Sequence, residues 1–75
     1  MFSKELFGKR LLEIRKSHGE TQTALGKAIG VAKSRVSEME TGKQTTTAEK
    51  IALICEHYKV SSDYLLGLSD DPAPR

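Results

Sequence analysis

The chain has 75 residues, a net charge of +2 and one cysteine, which bounds it to one small domain and excludes an internal disulfide or a Cys/His zinc cluster. A core this small must draw its stability from helix packing, helped by a partner subunit. The lone thiol, with no apolar run of membrane length and no visible signal peptide, reads as a cytoplasmic protein with no membrane association.

A charge so near neutral is a weak argument for nucleic acid, so that case rests on where the charges lie. Ser3 stands where it caps a first helix, and Glu5 suits the positive end of that helix. Phe7, Leu11 and Ile14 share one face, so the helix is expected to run to about Ser17 and stop near Gly19. Lys4, Lys9, Arg10 and Lys16 lie mostly off that face and read as solvated surface, one or two of them close enough to graze phosphate. Thr21 is the natural cap of a second helix, in which Leu25, Ala28 and Ile29 recur at helical spacing. The free N–H groups at its start make a ready phosphate site, with Gln22 beside them. Gly30 sits where this helix must stop, because a left-handed residue there reverses the chain without a Cβ penalty. Gly26, on the buried side, is small enough for two helices to cross closely.

A third helix is expected to start at Ala32 or Lys33 and to end before Gly42, a left-handed cap. Val36 and Met39, with Val31 across the turn, give it an apolar back. Lys33, Ser34, Arg35, Ser37 and Glu38 crowd its other side over the first two turns. A short helix held by its back, with a polar front at its N-terminal end, suits the major groove of DNA. Glu40 lies in the last turn, where the macrodipole disfavours an anion, so a compensating partner is expected.

Lys43, Gln44 and Thr45 then form a polar loop. Thr46 with Glu49 is expected to make a capping box for a fourth helix, whose buried face is Ala48, Ile51, Ala52, Cys55 and Tyr58, with Ile54 adjacent. Cys55 reads as an inert core thiol, and His18 and His57 as surface residues without ligand partners. Ser61 or Ser62 caps a last short helix, Asp63 suits its dipole, and Leu65 returns to the core, leaving Tyr64, Leu66 and Leu68 partly exposed. Residues 1–68 thus make the domain, and 69–75, with two prolines and no apolar periodicity, a disordered tail or linker.

The stretch from Gln22 to Thr41 resembles the helix-turn-helix of the phage repressor and Cro family, also called the XRE family. The resemblance lies in Gln22, Leu25, Ile29, Gly30, Val31, Val36, and Glu40 before Gly42, and the flanks match from Phe7 to about Leu66. It implies an all-α, five-helix, lambda-repressor-like DNA-binding domain, with the motif at 22–41 and a recognition helix at about 32–41. It further implies an ion pair between Arg15 and Glu40 that locks the recognition helix against the first helix. Gln22 would touch the DNA backbone and brace a recognition-helix side chain. By matching position, Lys33, Ser34 and Glu38 are the base readers, Lys33 donating to guanine O6 and N7 and Glu38 accepting from cytosine N4. Arg35 points nearer the groove wall, toward phosphate. Ser37, Thr41, Lys43 and Thr45 complete the DNA-facing set. Ala32 stands where the family commonly has a Ser or Thr cap, and its methyl is free to meet a thymine methyl. Gly26 stands where the family usually has Ala. Family members bind as two-fold dimers on half-sites roughly 34 Å apart, and the last helix is the usual place for dimer contacts, which singles out Tyr64, Leu66 and Leu68.

No Gly-rich phosphate loop, nucleophile with a base, or metal-ligand spacing is present, so neither an enzyme nor a cofactor is expected. The expected function is a sequence-specific double-stranded DNA-binding transcriptional regulator, a phage, prophage or bacterial repressor acting as a homodimer on a two-fold operator. A Cro-like regulator and the antitoxin of a toxin–antitoxin pair remain open within that class. The tail hints at a C-terminal domain beyond it that dimerises or senses a signal, and a protein antagonist is a further expected partner. The rival from another class is a helical protein-interaction module without DNA binding. Such a module would expose Leu, Met or aromatic anchors where this chain has Lys, Ser, Arg, Ser and Glu.

Overall fold

The computed structural model describes residues 1–74. They form five helices, α1 (Lys4–Ser17), α2 (Gln22–Ile29), α3 (Lys33–Glu40), α4 (Ala48–Tyr58) and α5 (Ser62–Leu66), and no strand. The domain is all-α, and α3 packs against both α1 and α2. Ser3, Thr21 and Ser61 cap α1, α2 and α5 through hydroxyls that accept from Leu6 N, Ala24 N and Asp63 N.

The cap of α4 differs from expectation. Thr47, not Thr46, holds the extended N-cap conformation, and its hydroxyl accepts from Lys50 N at 3.2 Å. The helix begins one residue later than the capping-box reading required. Lys50 therefore occupies the position from which a glutamate would reach back, and Glu49 serves only the helix dipole.

Phe7, Leu11, Leu25, Val36, Met39, Ile54 and Leu65 are fully buried and meet in one core, with Ile14, Ile29 and Tyr58. The α4 face is turned relative to expectation. Ile54 and Tyr58 point inward, Ile51 and Cys55 are half-buried, and Ala48 and Ala52 are exposed. The larger side chains take the core because they remove more apolar surface from water. Cys55 packs half-buried against the edge of the core and also lines a groove. Ala48, Ile51, Ala52, Cys55, Ser62 and Leu66 border an open apolar groove of about 550 Å³ between α4 and α5. Ala28 is likewise exposed, since the short α2 buries only Leu25, Gly26 and Ile29.

Two glycines allow close backbone crossings. A Cβ on Gly8 of α1 would lie 2.2 Å from Met39 O of α3, and one on Gly26 would lie 2.6 Å from Val31 O. Gly30 ends α2 in the left-handed region, φ 78°. The exposed end of α2 is then closed by Lys50, whose Nζ donates to Ile29 O at 2.8 Å.

Arg10 is the clearest departure from a solvated-surface reading. Its guanidinium stacks 4.1 Å from the Tyr64 ring centroid and donates to Tyr64 O, to Ser69 O at 2.8 Å and to Asp70 at 2.9 Å. Residues 69–74 carry no helix, yet they lie back on the domain, and Pro72 O accepts from Ser61 N at 3.0 Å.

Candidate nucleic-acid interface

The back of α3 is anchored first by shape. Val36 and Met39 are 0% exposed, and the α3 backbone lies directly on Gly8. A buried charge pair anchors it further. Arg15 Nε donates to Glu40 Oε2 at 2.6 Å and Nη2 to Oε1 at 3.1 Å, a two-point fork on one carboxylate. The Glu40 hydrogen bond, opposed by burial, lifts the Arg15 pKa above its ordinary value. Arg15 Nη1 also donates to Glu20 O, which ties the α1–α2 loop to the same guanidinium. Gln22 Nε2 donates to Glu40 Oε1 at 3.0 Å, so the brace lands on the last turn of α3.

The front of α3 faces water. Ala32, Lys33 and Ser34 are exposed, and Ser37 and Glu38 are half-buried. Ala32 holds the extended N-cap conformation but offers no side-chain acceptor, and the first turn carries no acidic residue. The helix N-terminus and Lys33 therefore add up to an electropositive tip. Thr41 is exposed, and its hydroxyl donates to Ser37 O at 3.0 Å. Lys43 is exposed and Thr45 half-buried in the loop that follows.

Arg35 is half-buried and already engaged. Its Nη1 donates to Gln44 Oε1 and its Nη2 to Thr45 O at 3.3 Å, which ties α3 to the following loop. Sequence reasoning placed Gln44 in a polar loop of the kind that approaches the DNA backbone in the resembling family but gave it no contact with Arg35, because a contact nine residues away across a turn has no periodic signal. Gly8 was missed for a similar reason, since close approach of α3 is legible only once both helices are placed.

Of the residues expected at a dimer surface, Leu68 is 72% exposed, Leu66 borders the α4–α5 groove, and Tyr64 has Arg10 on its ring. The two histidines also have neighbours. His57 Nε2 lies 3.0 Å from both Glu20 carboxylate oxygens, and Tyr58 OH donates to the same carboxylate at 2.9 Å. The His18 ring packs 4.8 Å from that of Tyr58. Glu20 is held below its ordinary pKa, first by the His57 hydrogen bond and then by that of Tyr58. Burial, followed by the Glu20 hydrogen bond, raises the Tyr58 phenol.

Residues 11–65 match the helix-turn-helix family model HTH_3. The chain belongs to the HTH_3 helix-turn-helix family. Among curated relatives, it is 37% identical over 70 residues to YobD of Bacillus subtilis, described as an uncharacterized HTH-type transcriptional regulator, covering 93% of this chain and 62% of that protein. Over 62 residues it is 29% identical to Antitoxin PezA of Streptococcus pneumoniae, covering 83% of this chain and 39% of the other. The chain thus spans less than two thirds of either relative. The P22 c2 repressor, solved in complex with a synthetic operator, superposes with a TM-score of 0.80 at 31% identity, covering 85% of this chain and 97% of that one. The five-helix HTH_3 domain is therefore lambda-repressor-like in fold, as its sequence suggested. No helix among the described residues is long and apolar enough to cross a membrane.

Proposed function

We propose that this HTH_3 domain is the DNA-binding part of a transcriptional regulator, a repressor that reads the major groove through α3 as a homodimer. The observation that carries the reading is the two-sided character of α3. Its back is fixed by Val36, Met39 and the Arg15–Glu40 pair, while Lys33 and Ser34 stand free in water at its electropositive tip. In this reading Lys33, Ser34 and Glu38 meet base edges, and Ala32 meets a thymine methyl. Gln22, Arg35, Ser37, Thr41, Lys43 and Thr45 serve the sugar–phosphate ridges. The likeness to the operator-bound P22 c2 repressor supports the assignment.

One α3 covers only a few base pairs, so a second copy is needed for a specific site. Leu66 and Leu68 offer apolar surface for that contact, and Tyr64 flanks them. Selection of bound duplexes from random DNA tests the whole reading. It should return a two-fold site with half-sites about 34 Å apart. Failure to enrich any sequence, together with no salt-dependent binding to bulk duplex, would overturn it. A second reading, the antitoxin of a toxin–antitoxin pair, draws on the likeness to PezA and is compatible with the same DNA-facing residues. Copurification of a toxic partner would favour it.

A further inference from the structure

Arg10, Arg15 and Arg35 all have their guanidinium groups hydrogen-bonded within the fold, but to different chemistry. Arg10 meets the carboxylate of Asp70 and Arg15 that of Glu40. Arg35 meets two neutral acceptors, Gln44 Oε1 and Thr45 O, and among the described residues it makes no ion pair. Its guanidinium is thus held by neutral acceptors, with no carboxylate of the described residues at ion-pair distance.

The loop that holds it is itself fixed. Lys43 N and Gln44 N both donate to Glu38 O, at 3.0 and 3.3 Å, and Gly42 N donates to Met39 O at 3.2 Å. The backbone of Gln44 is thus pinned to α3 one turn beyond Arg35, and its side chain returns to close a small ring. A long cationic side chain free on a helix surface must lose rotamer freedom when it grips an anion. Here much of that ordering precedes binding.

We propose that Gln44 is a positioning residue, which acts through Arg35 to hold a ready-made phosphate clamp at the junction of α3 and the α3–α4 loop. This rests on the DNA-binding reading above and adds to it a residue that touches no base and carries no charge. The ligand is the DNA backbone: with Nη1 and Nη2 each already donating to Gln44 and Thr45, the charge and the remaining N–H donors of Arg35 suit a phosphate, which is present whatever the base sequence.

The test compares wild type, Q44A, R35A and the double variant, each binding a duplex of random sequence across a range of salt. Q44A leaves net charge unchanged, so the expected result is affinity lower by about three- to tenfold with an unchanged salt slope. R35A should lose more, and its salt slope should fall by about one. The double variant should match R35A, because Gln44 has nothing to position once the guanidinium is gone. In the free protein, nitrogen-15 relaxation at Arg35 Nε should report greater side-chain mobility in Q44A, with the melting temperature unchanged. Strictly additive losses, or Q44A equal to wild type in both affinity and Nε mobility, would overturn the clamp. Wild-type protein that binds no duplex would instead overturn the DNA-binding reading, and the Nε measurement would still judge the Arg35–Gln44 contact by itself.

Discussion

Arg15 and Glu40 meet between α1 and α3 with side chains only 10% and 3% exposed, joined by two hydrogen bonds. Charges so far from water are stable only together, since each removed partner strands the other. Arg15→Ala and Glu40→Ala should each cost about 3–5 kcal/mol in urea unfolding. Replacing both by apolar residues, Arg15→Met with Glu40→Leu, should cost less than either single change. A double variant as unstable as the sum of the singles would show that the pair is not the unit of stability. Gln22 loses its acceptor in every Glu40 variant, so these variants should also bind DNA less well than their folded fraction predicts.

The two close crossings should respond unequally to a methyl group. Gly8→Ala places carbon 2.2 Å from Met39 O and 2.8 Å from Glu40 O, both backbone atoms that move only if α3 moves. A loss of about 3 kcal/mol or more is expected, at the upper end of overpacking costs. Gly26→Ala meets only Val31 O closely, at 2.6 Å, and that atom belongs to the short turn after α2 rather than to a packed helix. Its net loss should be about 1–2 kcal/mol. Thermal unfolding of the two variants side by side checks the order.

Acid should unfold the protein partly through Glu20. Its folded pKa lies below its ordinary value, chiefly because His57 and Tyr58 hydrogen-bond to the carboxylate. The stabilisation is therefore complete above the unfolded pKa and disappears as pH falls through the folded one. Glu20→Gln should flatten the fall of melting temperature between about pH 6 and about pH 3, near the carboxylate range. An identical slope in the variant would remove Glu20 as a source of acid sensitivity.

The uncapped start of α3 should be open to improvement. Ala32 has the backbone angles of an N-cap and no side-chain acceptor. Ala32→Ser should add about 0.5–2 kcal/mol of stability. If the Ala32 methyl meets thymine, the same change should alter preference at one base pair per half-site, and selection on random DNA would reveal it.

Much of this architecture was legible in the residues, for physical reasons that differ by element. Phe7, Leu11 and Ile14 in α1, and Val36 and Met39 in α3, announce their burial by spacing alone. The need of Glu40 for a partner was legible through an electrostatic misfit, an acid at the wrong end of a helix, while Arg15 as that partner was implied only by the family resemblance. The face of α4 was misjudged because Ala48 and Ala52 share the apolar period, while burial follows the larger Ile54 and Tyr58. Arg10, Gln44 and the Glu20–His57–Tyr58 cluster had no pattern to betray them. Each joins segments whose adjacency exists only in three dimensions, and a basic side chain on a helix surface looks the same whether it meets water or a carbonyl.

The outward side chains of Lys33 and Ser34 form no hydrogen bond within the described fold. In the proposed reading, folding and recognition therefore fall on opposite sides of the same eight-residue rod. Descendants of such a gene are free to exchange those two positions for almost any polar pair and still keep a working scaffold. New targets then become reachable by single codon changes, with no unstable intermediate on the way.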